Sequence, residues 1–87
     1  TLPKSQQKTA LKDLDQKTVQ FIKMAPKELI TFRDEDDNNL GHYTAICELK
    51  EATNLLYKYE DLATQANYEG CTIEHYARDS KIKINKK

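Results

Sequence analysis

The sequence predicts an all-α fold, a small helical bundle, on two observations. Between His42 and Ala66 one helical face is apolar at intervals of three and four: Ala45, Leu49, Ala52, Leu56, Tyr59, Ala63 and Ala66, with Leu55 and Leu62 on its flank. A mean interval of 3.5 residues marks a helix packed lengthwise on other helices. The second observation is the scarcity of breakers. Two Gly and two Pro in 87 residues are too few for a turn-rich β architecture.

Each element follows from local pattern. Residues 1–8 are polar around Pro3 and read as a flexible lead-in. A first helix over Thr9–Met24 gathers Leu11, Leu14, Thr18, Phe21, Ile22 and Ala25 on one strip. Pro26 cannot extend that helix but suits the first turn of another. Residues 26–33 therefore read as a short second helix turning Leu29, Ile30 and Phe32 inward, with a strand over Glu28–Phe32 as the rival. Asp34–Asn39 holds no apolar residue and reads as a solvated loop.

A third helix is expected over residues 40–67, on the order of 40 Å long, with Gly70 as its stop signal. Thr72 then caps a short last helix with Ile73, Tyr76 and Ala77 inward. Residues 81–87 form a basic tail. The expectation is three main helices plus a short C-terminal helix or extended tail, in one domain over residues 1–87, with no internal repeat.

Composition narrows the function classes. Length suits one modest core rather than a deep cleft with supporting shells. No apolar run approaches the roughly eighteen residues of a membrane span, and no signal-peptide core is present, so the expected location is cytoplasmic, away from membranes. Formal charge sums to zero but is segregated. Residues 1–33 carry seven Lys/Arg against three acids, 34–62 two against eight, and 63–87 five against three. An acidic middle between basic ends is a poor nucleic-acid track and a better match for complementary protein patches.

The acidic loop fails as an EF-hand. With Asp36 at the first ligand position, Leu40 falls at the fifth and Cys47 at the twelfth, where an oxygen and a bidentate Glu are needed. His42, Cys47, Cys71 and His75 have the ligand types for zinc. However, the five-residue step from His42 to Cys47 rotates side chains about 140° apart on a helix. Cys47 reads as a small buried hydrophobe and the histidines as surface groups. Cys71 beside His75 lacks an orienting third group for nucleophilic catalysis. Gly41 and Gly70 alone cannot build a phosphate loop.

The sequence thus points to no enzyme, no metal and no cofactor. It points to a protein–protein interaction or regulatory module whose partner is another protein or a second copy. Ile46, Lys50, Thr53 and Tyr57, spaced four, three and four, would form the partner-binding stripe on the expected long helix, the rival being that Tyr43 and the C-terminal segment cover this stripe internally. The alternative is a nucleic-acid-binding accessory protein using its basic segments, with Arg78, Lys81, Lys83, Lys86 and Lys87 on phosphates.

Overall fold

Six α-helices follow one another: α1 Lys4–Met24, α2 Lys27–Ile30, α3 Leu40–Ile46, α4 Lys50–Tyr57, α5 Glu60–Ala63 and α6 Ile73–Asp79. The computed structural model describes residues 4–84, with side chains from Thr9 onward, and no strand occurs among them. The all-α class holds. The three-helix arrangement does not, since four helices have seven residues or more. No helix among the described residues is long and apolar enough to cross a membrane.

The expected long helix is three helices. Its first break lies at Cys47–Leu49, where Glu48 takes φ 62°. The Glu48 N–H donates to the Ala45 carbonyl and the Leu49 N–H to the Thr44 carbonyl, a Schellman ending built without glycine. A new N-terminus then needs its amides satisfied. Asp15, buried on α1, does this across the molecule: its two carboxylate oxygens accept the Glu51 and Ala52 N–H groups, each at 2.8 Å. The second break, at Lys58–Tyr59, leads into α5, whose first turn carries Glu60 and Asp61.

Burial along the seam survives the first break but not the second, after which Tyr59 and Ala63 are half-buried, Ala66 is exposed and the flank residue Leu62 is the one buried. Ala45, Ala52, Leu56 and Leu62 are fully buried and Leu49 nearly so. α4 lies between α1 and α3, and α6 packs on α3, α4 and α5. One cluster joins Ile22, Ile30, Leu49, Ala52, Leu56, Leu62 and Ile73. A second joins Ala45, Ala77 and Ile82, with Tyr76 and Ile84 against it. Gly41 makes the α3–α6 contact possible. A Cβ there would clash with the Ile73 side chain.

Several boundaries and faces differ from the sequence reading. Residues 4–8 belong to α1 rather than to a lead-in, and residues 1–3 lie outside the described part. α1 buries Asp15 and Ile22 but leaves Leu14 and Phe21 exposed. On α2 only Ile30 is buried, while Leu29 and nearby Phe32 face solvent. Residues 81–84 are not a free tail: Ile82 is buried, and Asn54 Nδ2 donates to the Lys83 carbonyl.

An internal repeat, which the sequence did not reveal, has a period of 33 residues. The Asp34 carboxylate accepts the Asp36 and Asn38 amides, and the Asn67 side chain accepts those of Glu69 and Cys71. Asp37 and Gly70 both take positive φ. His42 Nδ1 accepts the Asn39 N–H, as His75 Nδ1 accepts that of Thr72. α3 ends through Glu48 and Leu49, and α6 through Lys81 and Ile82, with equivalent bonds. Even the Thr31 and Thr64 hydroxyls donate to carbonyls four residues back. The register runs from α2 through Leu49 onto α5 through Ile82. It does not extend to α1: Lys23, 33 residues before fully buried Leu56, is exposed.

Two measurements check this account. Leu56→Ala removes a fully buried side chain from the main cluster and is expected to cost about 2–5 kcal/mol in urea denaturation. A loss under about 1 kcal/mol contradicts its place in the core. Glu48→Gly relieves a side chain held at φ 62° and is expected to stabilise by about 1 kcal/mol, raising the urea midpoint at unchanged slope.

Candidate functional site

The repeat sets two capped turns side by side, and their cross-links define the candidate site. The Tyr68 N–H donates to the Asp36 carbonyl at 2.8 Å, and Asn67 Nδ2 to Asn38 Oδ1 at 2.8 Å. Arg33 donates from Nη2 to the Ala66 carbonyl at 2.6 Å, and from Nε and Nη2 to the Asp37 carbonyl. These bonds satisfy backbone that a loop would otherwise leave to water. They hold the tips at Glu35–Asp37 and Tyr68–Gly70 on one edge of the molecule, next to the exposed side of α3.

His42 locks the second turn to the first. Its ring is fully buried. With Nδ1 accepting the Asn39 N–H, the proton sits on Nε2, which donates to the Cys71 carbonyl at 2.8 Å. Tyr76 meets the ring edge-on, with centroids 5.6 Å apart. Asn39, also buried, donates through Nδ2 to the Leu62 carbonyl and to Gln65. Burial, which disfavours the imidazolium, holds the His42 pKa below 6.5 against the opposing pull of the Cys71 carbonyl. His75 keeps the same cap but is exposed.

Around the tips the surface is acidic and aromatic. Tyr43 donates its hydroxyl to Asp34, which lowers the Asp34 pKa and raises that of Tyr43. Glu35, Asp36, Asp37 and Glu69 are exposed, as are Tyr43, Ile46 and Tyr68.

The expected binding stripe does not exist as one face. The break at Cys47–Leu49 leaves Ile46 exposed on α3 and places the other three on α4. Lys50 is exposed there. Thr53 is fully buried and donates its hydroxyl to Thr44. Tyr57 is half-buried, with its hydroxyl on Glu74 of α6. Sequence reasoning missed Tyr43 and Tyr68, because their shared edge depends on the repeat. The signal available was the His-Tyr pair recurring 33 residues apart, each three positions after a capping residue, Asn39 and Thr72.

Arg78, Lys81 and Lys83 are exposed, with Arg78 Nη2 3.8 Å from Glu74, while Lys86 and Lys87 lie outside the described residues. Cys47 is an exposed free thiol rather than a buried hydrophobe, because α3 ends there, and Cys71 is a half-buried one. His42 is the reverse, buried where a surface group was expected. No group of three or more His, Cys, Asp or Glu side chains among the described residues is placed to hold a metal. Compared with protein-family models, with curated proteins and with solved structures, the chain matches none.

The depressed His42 pKa makes stability pH-dependent with a definite sign. The neutral ring's contribution is present above the unfolded value, near 6.5, and is lost as pH falls from there through the folded value. Urea denaturation from pH 7.5 down to 5 should show stability falling by at most about 1.4 kcal/mol per pH unit from this group. His42→Gln, less stable throughout, should flatten that slope. An unchanged slope in the variant assigns the dependence elsewhere.

Proposed function

We propose that this chain is a protein-binding module built on a helical repeat, using its turn tips and the exposed side of α3 as the contact surface. The observation that carries the reading is the 33-residue hydrogen-bond register between residues 27–49 and 60–82. A 33-residue unit of turn and two helices is the period of ankyrin-type solenoids, whose units open Thr-Pro-Leu-His-x-Ala. Thr72, His75 and Ala77 keep three of those positions, and His42 keeps one in the earlier unit. The uninterrupted α1 departs from that pattern.

Repeat folds of this kind do little besides present surface, each unit packing only on its neighbours. The acidic turn tips with Tyr43, Ile46 and Tyr68 supply a contact area of mixed apolar and negative character. Side chains there are exposed while their backbones are held by the turn cross-links, so little ordering entropy would oppose binding. The function is binding or regulation through a protein partner, without catalysis.

Capture from native host lysate provides the test. Ile46→Asp and Tyr68→Ala lie at exposed positions and should retain the wild-type melt. Each is expected to reduce recovery of the captured partner about tenfold or more, while Lys58→Ala on α4's C-terminal side leaves it unchanged. Equal recovery by all three variants would rule out this surface.

A further inference from the structure

The turn edge has almost no cation of its own. Residues 28–49 hold six acids and a single Lys or Arg, Arg33, and residues 59–77 hold four acids and neither Lys nor Arg. Arg33 is committed to the backbone, with its donors on the Asp37 and Ala66 carbonyls. Among the described residues, Glu35, Asp36, Asp37 and Glu69 make no ion pair. Asp34 to Asp37 are consecutive and their turn is closed by the Asp37 N–H on the Asp34 carbonyl. Their carboxylates therefore lie within roughly one Debye length, about 10 Å, of the Asp36 carbonyl whichever way they point. That carbonyl is the one that accepts the Tyr68 N–H.

Three exposed side chains share this negative field. Tyr68 is 82% exposed, and Tyr43 and Ile46, three residues apart on α3, are 44% and 50% exposed. The hydrogen bond to Asp34, and after it the charges of Asp34 and Asp36, raise the Tyr43 pKa, so both carboxylates act at this ring.

We propose that the turn edge takes an arginine-bearing segment of a partner protein, with guanidinium groups laid on the Tyr68 and Tyr43 rings among the carboxylates and an aliphatic side chain against Ile46. This rests on the reading of the turn edge as a protein-binding surface and names the chemistry of its occupant. The sign of the charge selects a basic partner and opposes nucleic acid, whose phosphates would meet the same carboxylates. The ring faces select arginine over lysine. A guanidinium is planar and weakly hydrated, so it stacks on an aromatic face while its edge still donates to a carboxylate.

Fluorescence anisotropy of the full chain with a short labelled peptide of repeated Arg-Leu-Gly triplets tests this, beside peptides carrying Lys or Glu in place of Arg. The arginine peptide is expected to bind with an affinity that falls as salt is added, the lysine peptide to bind more weakly and the glutamate peptide not to bind. Tyr68→Ala should weaken the arginine peptide about tenfold, and Glu35→Gln together with Asp36→Asn to a similar degree. These positions are exposed, so the variants should keep the wild-type melt. Asp13→Asn removes an exposed carboxylate from α1, which α4 separates from α3, and should leave the affinity unchanged.

An arginine peptide that binds no more tightly than the lysine or glutamate one overturns the proposal. So does an affinity that Tyr68→Ala leaves intact, or one that Asp13→Asn weakens equally. Self-association of the wild type that Tyr68→Ala abolishes, read by sedimentation velocity, gives the edge to a second copy instead. If the arginine peptide fails while Tyr68→Ala and Ile46→Asp still lose a host partner, the basic occupant falls and the turn edge stands as a site for a protein of other chemistry. If neither holds, both readings fall.

Discussion

The reversal at Cys47–Leu49 is the constraint on which the rest of the fold depends. A continuous helix through this point would carry α4 away from α3 and leave the Ala45, Leu49 and Leu56 faces without each other. Ending α3 there requires Glu48 in the left-handed region, at a cost of about 1–2 kcal/mol for a residue with a Cβ. Restarting at Lys50 requires partners for new amides, and Asp15 supplies two of them from α1. The carboxylate is buried, so its charge is balanced by those donors and the helix N-terminus rather than by water. One side chain thereby places α1 against α4 and stabilises the break that lets α4 fold back.

The second unit is held by a different kind of contact. Ile73 packs into the space left by Gly41, while His42 and Asn67 reach across to polar groups of the neighbouring unit. These contacts combine apolar burial with hydrogen bonds made by the buried His42 and Asn67 side chains. A repeat whose turn is cross-linked in this way presents its tip residues on a rigid base. That is why the acidic and aromatic side chains of the edge are exposed without being on a loose loop.

Much of the fold was legible from apolar spacing. The seam is buried from Ala45 to Leu56 as its three-and-four intervals require, though not at Tyr59, Ala63 and Ala66 beyond the second break, and α1 ends at Met24 before Pro26. The candidate site was far less legible. Thr53 and Tyr57 looked like a second face only while the helix was assumed to be straight, and both turn inward once it folds at Glu48. His42 carries no local mark distinguishing a buried cap from a surface residue. Its role comes from the Cys71 carbonyl, 29 residues further along the chain.

By itself, the sequence determined the helical class, the seam as far as Leu56 and the segregation of charge, because these depend on periodicity and composition within a few turns of chain. Tertiary structure alone decided where the long apolar run breaks, that its halves belong to a 33-residue repeat, and which apolar side chains remain outside. Those outcomes rest on contacts between residues far apart in sequence: Asp15 with Ala52, Gly41 with Ile73, His42 with Cys71. The repeat itself is carried by equivalent hydrogen bonds made with unlike side chains, Asp34 and Asn67 or Asn39 and Thr72. Similar chemistry with different letters leaves little trace in one sequence, and becomes plain once the backbone is folded.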